Sequence, residues 1–70
     1  MLKNLENIEQ ARQEFLEVVL PIHTCRRMVL AYIASCKEML VIFEAKRHLP
    51  KHALQARLRI QAAEEWLNKH

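Results

Sequence analysis

Apolar residues recur along this chain in steps of three and four, the spacing of one face of an α-helix. The pattern predicts three helices, over residues 2–19, 22–48 and 51–68. The middle one is expected to organise the others. Its stripe of Ile22, Cys25, Val29, Tyr32, Cys36, Met39 and Phe43 is spaced 3-4-3-4 throughout, with Met28, Ile33 and Leu40 widening the edges. No Gly or Pro interrupts the segment after Ile22, which as one helix would be about 40 Å long.

The first helix carries a shorter stripe, Ile8, Ala11, Phe15 and Val18, flanked by Leu5, Leu16 and Val19. Lys3, Glu6, Gln10, Gln13, Glu14 and Glu17 fall on the opposite side, and Asn4 is the best capping candidate. In the third helix Ala53, Ala56, Ile60, Ala63 and Leu67 share a face, small enough at three positions for another backbone to approach closely. Leu54, Leu58 and Ala62 point elsewhere, Trp66 sits at the edge, and Glu65 and Lys69 are spaced as an i,i+4 pair.

Two Leu-Pro steps, Leu20-Pro21 and Leu49-Pro50, punctuate the pattern. A residue before proline is pushed out of the α region, while proline is at home in a helix's first turn. Both steps are therefore read as breaks with very short connections. The alternative at Pro21 is a kink, because the apolar phase runs unbroken from Phe15 and Val18 to Ile22 and Cys25.

Composition narrows the fold further. There is no Gly and no Asp, so tight turns and β-hairpin signals are missing, and strands are excluded from the expected fold. With 51% apolar residues the chain is expected to fold as one all-α domain over residues 1–70. A domain of this size buries only about 60% of its unfolded surface. Leu30, Val41 and Ile42 lie off the stripe and leave the second helix apolar on several sides. A homodimeric helical bundle follows, with the stripe shared between core and dimer contact. The apolar run is cut by Ser35, Cys36, Lys37 and Glu38, well short of the roughly 20 residues of a membrane span.

Charge is uneven along the chain. Residues 1–20 carry Lys3 and Arg12 against four glutamates, whereas the rest is net basic, giving +3 overall. This balance permits an acidic partner without demanding one.

The groups able to do chemistry do not assemble into a site. Cys25 and Cys36 lie about 16 Å apart on one helix, too far for a disulfide, and their place on the stripe suggests buried, unreactive thiols. No leader is evident at the N-terminus, so a reducing cytoplasm is the expected compartment. His48 and His52 have the spacing of a two-histidine metal site, but Pro50 separates them, and no further ligand completes a set. His48 would instead sit at the C-terminal end of the second helix, and His23 and His70 are remote. Ser35 has no evident base, the adjacent Glu64 and Glu65 point apart, and no Gly-rich loop is present for phosphate. An enzyme is not expected, nor a cofactor or metal.

What remains is binding. Lys51, Gln55 and Arg59 follow at i, i+4 and i+8 on the third helix, as in a row that reads bases, with Arg26 and Arg27 available for phosphates. The commoner explanation is a solvated polar face, since the turn lacks Gly and the basic excess is slight. The first functional expectation is therefore a non-enzymatic regulator or adaptor that binds protein through the first and third helices. The alternative is a small DNA-binding regulator using Lys51, Gln55 and Arg59. A third is a small chaperone holding a partner helix in an apolar groove.

Three stretches, Ala11-Arg12-Gln13-Glu14-Phe15-Leu16, Cys25-Arg26-Arg27-Met28 and Leu49-Pro50-Lys51-His52, give the chain an overall look that resembles small helical accessory proteins encoded in the early regions of lambdoid phages. The resemblance implies a cytoplasmic, non-enzymatic protein that alters host physiology or phage development through partners. It transfers no residue role.

Overall fold

A computed structural model describes residues 5–47 and 49–70 of the chain. Among them there are helices and no strands. The first helix is built from three contiguous pieces: an α-helical stretch Ile8–Glu14, a π-helical turn Phe15–Val19 and a final α turn Leu20–Ile22. These together are α1; Arg26–Ala45 is α2 and Pro50–Lys69 is α3. The three form an up-down-up bundle of 35 × 22 × 21 Å.

The start of α1 is closed by a reciprocal pair. Asn7 accepts from the Gln10 backbone N–H at 3.0 Å, and Gln10 Oε1 accepts from the Glu6 N–H at 2.7 Å. The first bond satisfies a donor that the helix N-terminus leaves open, and the second ties down the residue before the cap, one position short of a capping box. The cap is thus Asn7; Asn4 and Lys3 lie outside the described residues.

Pro21 does not end α1. The helix runs on to Ile22 because the preceding turn is π-helical, with the Leu20 N–H bonding back to the Phe15 carbonyl. A widened turn relieves the clash between a proline ring and the carbonyl four residues earlier. The break comes instead at His23–Cys25. There His23 bonds the Val19 carbonyl twice, through its backbone N–H and through Nδ1, each at 2.9 Å. Nδ1 must carry the proton for the second bond, so the ring serves as a C-cap. At the other junction Pro50 opens α3 as expected, after a turn closed by the Leu49 N–H on the Lys46 carbonyl at 3.0 Å.

The π turn also shifts the apolar register of α1. An extra residue in the turn moves every later side chain back by one place around the helix. Val19, not Val18, therefore enters the core, and Ile22 is left 65% exposed.

The helix that organises the packing is α3 and not the second helix. Five residues of α3, Ala53, Ala56, Ile60, Ala62 and Ala63, are buried, against only Val29 and Ile33 of α2. Alanines give little bulk, so α1 and α2 can both close on the α3 backbone. The α2–α3 pair is antiparallel, with Arg26 donating to the Leu67 carbonyl at one end and Glu44 paired with Arg57 at the other. Tyr32 of α2 meets the Phe15 ring of α1 at 6.4 Å and that of His23, just past α1, at 5.2 Å between ring centres. The core lies between these elements, with Leu5, Ala11, Phe15, Val19, Val29, Ile33, Ile60 and Ala63 at its centre.

Candidate interaction surface

The polar residues nearest the core lock α1 to α3. Glu14 of α1 and Arg59 of α3 form a two-pronged ion pair, Nε to Oε1 at 2.8 Å and Nη2 to Oε2 at 3.2 Å. Glu14 was expected on the solvent side of the first helix and is buried. Its spacing from Ala11 and Phe15 places it on the inner shoulder of α1, and Arg59 lies between Ala56 and Ala63 on the buried face of α3. A second two-pronged pair, Arg12 to Glu65 at 2.7 and 3.0 Å, closes the outer side of the same junction. Glu65 therefore answers to Arg12 across the bundle, beyond the expected neighbour Lys69.

Tyr32 and Cys36 of α2 complete the polar interior. Burial is the main force pushing the Tyr32 hydroxyl and the Cys36 thiol upward in pKa. Cys36 is thus held as a neutral thiol, which is a poor nucleophile. The cluster carries structural bonds and lacks an activated group.

The seven stripe positions separate. Val29 is fully buried, Tyr32, Cys36 and Phe43 are half-buried, and Ile22, Cys25 and Met39 are exposed in the single chain. Cys25 precedes the first turn of α2, so its expected burial is corrected. Ile33 and Leu40, read as edges, lie instead within or against the core.

The row Lys51, Gln55 and Arg59 also separates. Lys51 is exposed and Gln55 half-buried, and both line an open groove of about 550 Å³ with Leu5, Glu6, His52 and Leu54. Arg59 is taken up by Glu14, which corrects its assignment to a solvated face. His52 meets the Phe43 ring at 5.3 Å; His48, its expected companion, lies outside the described residues. Among the described residues no group of three or more His, Cys, Asp or Glu side chains could hold a metal ion.

The surface that stands out is the outer side of α2. Among the described residues nine large apolar side chains are exposed, and five of them, Met28, Leu30, Met39, Val41 and Ile42, are on this helix. Between them lie the exposed small residues Ala31, Ala34, Ser35 and Ala45 and the exposed charges Arg27 and Glu38. Two bordering charges are drawn back on to α3: Lys37 by Glu64 at 3.5 Å and Glu44 by Arg57 at 2.6 Å. So many exposed large apolar side chains on one helix normally mark a contact surface. Yet no helix among the described residues is long and apolar enough to cross a membrane. Leu30, Val41 and Ile42 are legible in the sequence as apolar positions off the stripe, whereas the exposure of Met28 and Met39 on the same side is not.

Comparison with known proteins gives no family model that matches the chain, and no curated protein or solved structure that matches it significantly.

Proposed function

We propose that this chain is a non-enzymatic protein-binding module, a small regulator or adaptor whose contact surface is the outer side of α2. The observation that carries the reading is that this side exposes five large apolar residues around a floor of alanine and serine that holds only two charges, Arg27 and Glu38. Exposed apolar surface of this extent favours a protein partner, because covering it releases free energy, and the Arg27 and Glu38 charges on the same side can be matched by a partner's own. The binding side thus moves from the first and third helices to the second. The engagement of Arg59 with Glu14 weighs against the nucleic-acid alternative, since a base-reading row needs all three side chains free to turn outward. Two unpaired cysteines, one of them exposed, suit a reducing cytoplasm.

The test is site-specific photo-crosslinking in cells. A benzoylphenylalanine placed at Ser35, in the middle of the face, should give a discrete protein adduct that survives nuclease. The same group at Gln61, exposed on α3, should not. No adduct from Ser35, or the same adducts from both positions, would overturn the reading.

A further inference from the structure

We infer that the occupant of the outer side of α2 is the same side of α2 in a second copy of this chain, antiparallel and centred between Ala31 and Ala34. This rests on the protein-binding reading above and names its partner.

The inference follows from the charges on that side. Arg27 and Glu38 are both exposed, and neither has an ion-pair partner among the described residues. Eleven residues separate them, almost exactly three helical turns, so they lie on one line along the outer side of α2. Ala31 and Ala34 lie near the same line, one turn inward from each charge. The sequence Arg27-x-x-x-Ala31-x-x-Ala34-x-x-x-Glu38 is therefore symmetric in spacing and opposite in charge about its midpoint.

A two-fold axis through that midpoint has a definite consequence. It sets Arg27 of each chain against Glu38 of the other and Ala31 against Ala34, both twice over. Alanines at the crossing allow helix axes to come within about 8 Å. Met28 and Leu30, on either side of the line, then close over the contact. A parallel arrangement in register would instead set Arg27 against Arg27 and Glu38 against Glu38, so the charges select the antiparallel one. The match explains why a side otherwise apolar keeps these two charges and no others at its centre line.

Charge reversal tests it on the full chain, because both residues are exposed and reversal leaves the bundle's own contacts in place. By sedimentation equilibrium the wild type is expected to dimerise at tens of micromolar or below. Arg27→Glu alone and Glu38→Arg alone should each weaken self-association about tenfold or more, since each turns two attractions into repulsions. An equimolar mixture of the two variants should form a heterodimer, and the double variant should return to within about threefold of wild type. Unchanged self-association of both single variants, or no heterodimer in the mixture, would overturn the inference. So would a monomeric wild type; the Ser35 crosslink then separates the two readings. An adduct with a different protein leaves the protein-binding reading standing, and no adduct overturns both.

Discussion

Arg59 of α3 reaches into the bundle to grip Glu14 of α1 with both prongs of its guanidinium, leaving the carboxylate side chain only 3% exposed. The pair joins residues 45 apart in sequence, beside the half-buried Tyr32 and Cys36 of α2. Burying two charges is costly, and the cost is offset only while both are present and well bonded. The arrangement thus fixes how α1 seats on α3.

Removing one partner should therefore do more damage than removing both. Arg59→Ala leaves Glu14 buried without its cation, and we expect a loss of about 3 kcal/mol, a large part of the margin of a small domain. Glu14→Leu combined with Arg59→Met should recover a good part of it. Urea unfolding followed by circular dichroism measures both. An unchanged midpoint for Arg59→Ala would show that the pair contributes nothing to stability.

The outer pair makes a prediction about pH. The hydrogen bond from Arg12 holds the Glu65 carboxyl below its ordinary pKa. A carboxyl depressed on folding adds stability that is present above its unfolded pKa, and loses it as pH falls through the lower folded one. Stability from this pair should accordingly fade in the acid range, below the ordinary carboxylate pKa of about 4.3. In Arg12→Ala the Glu65 titration, followed by NMR, should move up toward that ordinary value. If it stays where it is, the depression has another cause.

The two thiols should differ sharply in reactivity. Cys25 is exposed ahead of α2, whereas Cys36 is half-buried and its thiol is pushed up by burial. The thiolate is the reactive form, so Cys36 is slower on two counts. Brief alkylation of the native protein at mildly alkaline pH should label Cys25 first, as read by peptide mass spectrometry. Labelling of Cys36 ahead of Cys25 would contradict the burial described for it.

How far the chain could be read without its structure depended on how many solutions each apolar pattern allowed. The buried face of α3 was legible because Ala53, Ala56, Ile60 and Ala63 fit one face and their neighbours are mostly polar. In α2 apolar residues occur on every side, so a 3-4 stripe could be drawn along several lines. The one through Ile22, Cys25 and Met39 misses Ile33 and Leu40, which pack in or against the core. The length of the second helix was overestimated at both ends: residues 22–48 were expected and Arg26–Ala45 is helical. Small size hid the importance of α3, because alanines contribute by letting neighbours approach and not by their own bulk. The Glu14–Arg59 pair left only a faint signal, a charged residue spaced three and four from Ala56 and Ala63. The outward α2 face was visible only in part, because exposure depends on which sides the other helices leave open.

The π turn gives the sharpest discrimination between the regular pattern and the observed one. On an unbroken α-helix the stripe through Ile8, Ala11 and Phe15 continues to Val18, and Val19 lies on its flank. With the turn Phe15–Val19 widened, Val19 is buried and Val18 is 45% exposed. Truncating a buried valine removes two methyl groups and leaves a void, so Val19→Ala should cost about 2 kcal/mol. Val18→Ala touches only solvent-facing surface and should change stability by no more than about 0.5 kcal/mol. A regular helix would reverse that order or make the two equal. The comparison needs three urea curves, the wild type and the two variants, and it reports on the same feature that carries α1 past Pro21 and leaves Ile22 facing outward.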